Sequence, residues 1–535
     1  MEHEVVIVGA GSAGATLAAR LTETAGLKAG GPKTGGLRVA LIEAGPDYRS
    51  HEAPEAMALA NPARIIIDPA HADFRYDALT ARRTRVQEPR TYWRGRGLGG
   101  SSAINGQIAI RAVPEDLDDW AAAGCTGWSF AEALPFFNRL ETDLRYGSAP
   151  HHGADGPIPI YRAPLTAWGA MDRVLAEAAL DQGHGWAPDH NAPGALGVSP
   201  YAINSQGGRR VSTNDAYLEP ARGRNSLSIM GDALVDRVLF EGTRAVGVRV
   251  RRGDVWQEVR GGLIILAAGA VHSPAILMRS GIGPAADLAA LGIGLKQDLP
   301  VGQRFQDHPM AFMAVALNEA HVPPPGFRHT NCCVRYSSGL AGAGPGDMMM
   351  VAMNRYGDSL GRHISLPGTP EAPMGLIGVW LNQCLSRGRL SLASADPGVD
   401  PLIEQNMLDD PSDTLRLRDG IRRLIEVARH PAAHATGTPQ TPGLDLGPDL
   451  ARDPTDAEID AWALATAGDT QHATSTCPMG GPDDPWAVVD ADCRVRGLDA
   501  LRVIDASVMP SVPRANTHLT TVMIAEAMAE RLRAG

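Results

Sequence analysis

The feature that most limits how this chain can fold is Gly9-x-Gly11-x-x-Gly14, set between an apolar run, Glu4 to Val8, and a stretch of helical composition, Ala13 to Thr24. The first glycine permits a tight turn, the second lets an anion approach the backbone, and the third lets helix pack on strand. The helix N-terminus then favours negative charge at Ser12 and Ala13. With Leu37 to Ile42 as the next strand this is a βαβ unit, the start of a parallel sheet that binds a dinucleotide at its carboxyl edge. Glu43 ends that strand, where a carboxylate accepts hydrogen bonds from a ribose diol and repels a ribose 2′-phosphate. It comes 29 residues after Gly14, later than is usual, and the connection Gly26 to Gly36, with five glycines and a proline, accounts for the excess as a surface loop. The fingerprint alone does not separate NAD from FAD.

At 535 residues the chain exceeds one hydrophobic core, so two domains are expected. Strands are expected over Leu227 to Met230, Ala233 to Phe240, Ala245 to Arg251, Trp256 to Val259 and Leu263 to Ala267. Another, Leu501 to Ile504, precedes a helix over Thr521 to Leu532. Nucleotide-domain elements thus recur at the start, middle and end of the chain, and the domains interleave. Residues 1–155, 200–310 and 466–535 form the nucleotide domain, and 156–199 with 311–465 form the second. Weaker periodicity from Ala320 to Pro373 marks the change of domain, and Met348, Met349 and Met350 there are expected to pack in its core. Ser412 to His430 reads as an amphipathic helix ended by Pro431.

A formal charge of −11 argues against nucleic acid or an anionic membrane surface as partner. No stretch approaches the roughly 20 apolar residues of a membrane span, and no leader precedes the first strand. The six cysteines lack metal-ligand spacing, so no metal is expected, and they read as reduced, buried thiols of a cytoplasmic protein. The adjacent pair His151-His152 reads as a solvated loop.

A second glycine cluster, Gly95-Arg96-Gly97-Leu98-Gly99-Gly100-Ser101-Ser102-Ala103-Ile104-Asn105, resembles the first signature of the glucose-methanol-choline family of FAD-dependent oxidoreductases. Gly269-Ala270 through Ser273-Pro274 to Ser280-Gly281-Ile282-Gly283 resembles its second signature. The run from His472 through Cys477, Met479 and Gly480 to Asp505-Ala506-Ser507 agrees, as does Gln306-Asp307-His308. The resemblance implies an α/β fold in which a Rossmann-like FAD-binding domain is interleaved with an α+β substrate-binding domain built on an antiparallel sheet. It implies FAD held also by Arg96, Gly99, Gly100, Ser101, Asn105, Val235, Asp505, Ala506 and Thr517. Some members tether the flavin through a histidine in the first signature. This chain has Ile104 there, so the FAD is expected to be non-covalent.

Oxidising an alcohol to an aldehyde or ketone requires a base for the hydroxyl proton, a hydride acceptor such as flavin N5, and a donor that orients the oxygen. The resemblance puts His472 at the catalytic position. Its register over Thr521 to Glu526 puts His518 at the second position, with Asn516 as the competitor; His472 is taken as base and His518 as partner, and the two roles can exchange. His308, in Asp-His-Pro, reads as a structural turn. The activity implied is oxidation of a small-molecule alcohol with O2 or another acceptor returning the electrons. The alternatives are a non-redox lyase of the same family, of hydroxynitrile lyase type, and a non-catalytic flavin-binding protein.

Overall fold

The computed structural model describes residues 3–24, 36–324, 326–340, 342–356 and 372–534. The glycine-rich connection, Gly36 apart, lies outside the described residues from Gly26 onward. The strand His3–Val8 pairs in parallel with Val39–Ile42 on one side and with the carboxyl half of Val255–Leu266 on the other. Leu227–Met230 and Leu501–Val503 extend this parallel sheet at its two ends. Val5 to Val8 and Val39 to Ile42 are buried throughout, as strands covered on both faces require. One continuous strand, Val255–Leu266, stands where the sequence suggested two. Its first half pairs antiparallel with Arg244–Arg252, which in turn pairs with Leu234–Glu241.

The helix Ser12–Leu21, with Ala13, Ala15, Leu17 and Ala18 buried, packs on the sheet and against the helix Thr517–Ala534. Gly14 is obligatory here, since a Cβ would be driven into the Gly9 carbonyl. Arg20 bridges the two helices to Glu526, whose side chain is fully buried and also accepts from Tyr217 Oη at 2.8 Å. The closing helix begins at Thr517, four residues before the expected Thr521.

The second sheet is antiparallel, ordered Gly437–Gln440, Pro309–Leu317, Met374–Leu381, Met348–Tyr356, Cys332–Tyr336 and Gly197–Pro200. The helices Ala170–Asp181 and Pro411–Arg429 pack on it. The latter matches the expected amphipathic helix; Asp410 caps it by accepting from Ser412 N–H at 2.8 Å, with Pro411 in its first turn. Leu417, Ile421, Leu424 and Ile425 are buried against the sheet, each burial worth roughly 2 kcal/mol. Met348 and Met350 join that helix-covered core, while Met349, one residue out of phase, joins the core of the nucleotide-binding unit. The fold is the α/β arrangement expected, a Rossmann-like sheet interleaved with an antiparallel one. The carboxyl ends of the parallel strands meet at Gly9, Glu43, Ala267 and Ile504, and there the molecule opens.

Candidate active site

A cavity of about 740 Å³ runs along this edge. Its wall includes Val235, Arg251 and Pro397, the glycine turn Gly9, Gly11, Ser12 and Ala13 with Glu43, and Gly100, Ser101, Asn105, His472, Asn516 and His518. Arg96, Asp505, Ala506 and Thr517 line it as well. Gly14 and Gly99 do not; they stand behind the wall. Gly14 seats the helix, and Gly99, with φ +85°, donates its N–H to Ala10 O at 2.9 Å and so ties the two glycine loops together. Gly100, with φ +50°, abuts Gly11 so closely that a Cβ would meet the Gly11 Cα at 2.7 Å.

The glycine turn in this wall suits a pyrophosphate. The helix Ser12–Leu21 starts at Gly11 with no side-chain cap, leaving its first N–H groups free for an anion. Glu43 holds the neighbouring turns in place, accepting from Ala10 N–H at 2.7 Å and from the Gly45 and Gly97 N–H groups at 3.0 Å each. This carboxylate is therefore also a structural hub, which its position at a strand end did not reveal. Asp505 is committed in the same way, accepting from Gly269 N–H, Ser273 Oγ and Ser507 N–H. Asn105 Oδ1 is held by Arg210 Nη1 at 2.6 Å. Buried polar atoms without partners, Asn516 Oδ1 and His518 Nε2, belong to side chains that line the cavity. These features fit a bound dinucleotide.

His472, in the same wall, is nearly fully buried. Burial, then His308 and Arg94, hold its imidazole well below the usual histidine range, so it is neutral. Its Nδ1 lies 2.7 Å from Thr470 Oγ1 and 2.9 Å from His308 Nδ1. Its Nε2 lies 2.9 Å from the Asn516 amide. The sequence paired His472 with His518; in the structure the side chain that meets His472 Nε2 is that of Asn516. His518 is the second residue of the closing helix, and its Nδ1 lies 3.0 Å from Ser12 Oγ, at the pyrophosphate end of the glycine turn. Asn516 precedes the helix and turns onto His472. Burial and Arg210 push His518 down to about 4.

His308, read from sequence as part of a turn, is fully buried and touches His472 directly. Its only local sign was the Asp-His-Pro context, and 164 residues separate it from its partner. His152 is likewise no solvated loop residue: its side chain is buried, with Nδ1 2.6 Å from Glu141 and Nε2 2.8 Å from Asp189. That cluster has residue types that bind metals. Arg111 and Arg162 already neutralise its carboxylates, as in a structural ion network. All six cysteines are buried and unpaired.

A cradle suited to a dinucleotide, with a buried, neutral imidazole in its wall, fits an oxidoreductase of the α/β class. The chain belongs to the GMC oxidoreductase family, whose N-terminal model matches residues 3–310 and whose C-terminal model matches residues 385–525. It is 36% identical over 555 residues to the 5-(hydroxymethyl)furfural oxidase of Methylovorus sp. (strain MP688), covering 99% of this chain and 98% of that one. It is 34% identical to an oxygen-dependent choline dehydrogenase of Pectobacterium carotovorum subsp. carotovorum (strain PC1), covering 100% and 95%. Among solved structures, pyridoxine 4-oxidase from Mesorbium loti superposes with a TM-score of 0.86 at 29% identity, covering 100% of this chain and 99% of that one. The protein is an FAD-dependent oxidoreductase acting on CH–OH groups. No helix among the described residues is long and apolar enough to cross a membrane.

Proposed function

We propose that this enzyme oxidises a primary alcohol, a hydroxymethyl group on a small apolar ring, to the aldehyde, with His472 as base and O2 as final acceptor. The observation that carries the reading is the pair His472 Nε2 and Asn516 Nδ2, 2.9 Å apart at the cavity wall. An alcohol oxygen that approaches both from the cavity side gives its proton to the imidazole and accepts an amide N–H, which stabilises the negative charge that develops on it. FAD, when bound, supplies the hydride acceptor. Gly9, Gly11, Ser12 and Ala13 would hold its pyrophosphate and Glu43 would face its ribose. Val235 would lie at the adenine, and Arg96, Gly100, Ser101, Asn105, Asp505, Ala506 and Thr517 would line the flavin end. Ile104, Ile108 and Trp93 give the same cavity apolar walls suited to a ring. The hydroxymethyl preference is supported by the relative named for 5-(hydroxymethyl)furfural. The O2 preference is supported by relatives named as oxidases and as oxygen-dependent. Residues 1–155, 200–310 and 466–535 would serve the cofactor, and 156–199 with 311–465 would cover the substrate. With Ile104 in the lining there is no histidine there to tether the flavin, and the FAD is proposed to be dissociable.

The test mixes holoenzyme anaerobically with a panel of alcohols led by 5-(hydroxymethyl)furfural. Bleaching of the flavin absorbance, its return in aerated buffer with peroxide formed, and flavin left in the supernatant after acid precipitation are expected. Turnover of a cyanohydrin with the absorbance unchanged would establish the lyase reading instead.

A further inference from the structure

We propose that His308, with Thr470, fixes His472 in the tautomer that carries its proton on Nδ1, so that Nε2 keeps its lone pair as an acceptor, met by the Asn516 amide at the cavity wall; His308 is thus a positioning residue for the reaction. This rests on His472 as the base.

The proton positions follow from what each atom can do. His308 Nε2 lies 3.1 Å from the Pro513 carbonyl, which can only accept. His308 Nε2 therefore carries a hydrogen. Burial pushes the His308 imidazole down to about 4, so the ring is neutral and its Nδ1 is left as an acceptor. That Nδ1 faces His472 Nδ1 at 2.9 Å, and the hydrogen between them must belong to His472. Thr470 gives the same answer independently. Its hydroxyl donates to Asp307 Oδ1 at 3.2 Å, leaving the oxygen to accept from His472 Nδ1 at 2.7 Å. Two acceptors thus converge on one N–H, and a neutral imidazole with hydrogen on Nδ1 has its lone pair on Nε2, beside the Asn516 amide. When Nε2 takes the substrate proton, the same acceptors stabilise the imidazolium.

Asp307 anchors the arrangement from behind. Its carboxylate accepts from the backbone N–H of His472 at 2.9 Å and of His308 at 2.8 Å, and from Tyr92 Oη at 2.5 Å. The ring of His308 meets that of His472 edge-on at 84°, so a change of ring orientation in one displaces the other.

The test compares His308→Leu, which removes the acceptor, with His308→Asn, whose amide oxygen can replace it, and with Thr470→Val, which removes the second acceptor. All are compared as holoenzymes with equal FAD content. Anaerobic flavin reduction is expected to slow roughly 10- to 100-fold in His308→Leu, to recover most of that loss in His308→Asn, and to slow several-fold in Thr470→Val. In the wild type, the nitrogen-15 shifts of labelled His472 should show a protonated Nδ1 and an unprotonated Nε2. A protonated Nε2, or equal rates in the Leu and Asn variants, would overturn the proposal, as would a wild-type rate in both His308→Leu and Thr470→Val. Should His308→Leu fail to fold, the nitrogen shifts and Thr470→Val decide alone. Failure of the base reading itself has a different mark, a wild-type reduction rate in His472→Ala.

Discussion

His152 and His472 are both buried and both hydrogen-bonded at each ring nitrogen, yet the fold holds them in opposite states. Burial alone lowers both. At His152 the hydrogen bonds to Asp189 and Glu141 outweigh it, and the imidazole ends above its ordinary value. At His472 the neighbours are a neutral imidazole, a hydroxyl and an amide, with Arg94 adding repulsion, and nothing offsets the burial. The surroundings therefore decide the use. Three carboxylates, Glu141, Asp143 and Asp189, with Arg111 and Arg162 between them, leave room for one more cation, and His152 supplies it, joining the strand Glu141–Asp143 to the loop that holds Asp189. Uncharged acceptors at Nδ1 instead leave His472 a lone pair on Nε2, which only the Asn516 amide meets. One site spends its histidine on structure, the other on chemistry.

The sharpest way to break this contrast is to delete each ring. His472→Ala should slow anaerobic flavin reduction by roughly 10²- to 10⁴-fold, the usual worth of a positioned base, while the melting temperature changes little. His152→Leu should do the converse, costing roughly 3 kcal/mol of unfolding free energy because it leaves buried carboxylates short of a cation, with the rate per bound flavin within about twofold of wild type. Stopped-flow reduction and denaturant unfolding measured on both variants settle it. If His152→Leu slows reduction as much as His472→Ala does, the division fails.

A smaller effect separates Asn516 from His518. Asn516→Ala should slow reduction roughly 10- to 100-fold, in line with a hydrogen bond to a developing charge. His518→Ala removes the group beside Ser12 and should weaken FAD retention during dilution or gel filtration, leaving the rate per bound flavin within about threefold. The opposite pattern would return His518 to the catalytic place.

That pair also shows where the sequence stops being readable. Strand, glycine turn and helix at the N-terminus were legible because each glycine answers a local steric demand. Pro411–Arg429 was legible because its apolar spacing is helical and prolines bracket it. The start of the closing helix was not. Thr517-His518-Leu519-Thr520 has weak helix propensity, and the turn forms because Leu519 and Thr520 are buried as the helix packs against Ser12–Leu21. Starting the helix four residues late leaves Asn516 and His518 equivalent loop residues; starting it at Thr517 sends them to different neighbours. The strands Cys332–Tyr336 and Met348–Tyr356 were hidden because they are buried on both faces and lack alternation. His308 and His152 owe their roles to partners distant in sequence or drawn from separate loops, and no local pattern encodes such contacts.

The smallest effect expected is on pH dependence, and its sign differs between the two sites. His472 has its folded pKa well below 6.5, so the base stays unprotonated as the pH falls through 6.5. The anaerobic reduction rate should hold level through that range and drop only when the pH reaches the lowered value. His152 has its folded pKa above 6.5, so its contribution to stability is complete below 6.5 and is lost as the pH rises through the raised value. Melting curves should therefore show a decline on the alkaline side of neutrality that His152→Gln, having no proton to lose, does not share. The two profiles come from one preparation, reduction rate and melting temperature against pH. A fall in rate near neutrality that persists in Asp307→Asn would mean that His472 is not held neutral by its surroundings, whereas one that Asp307→Asn abolishes would belong to Asp307, whose carboxyl burial pushes up to about 7. An unchanged alkaline slope in His152→Gln would mean that the Glu141–His152–Asp189 network holds no proton worth losing.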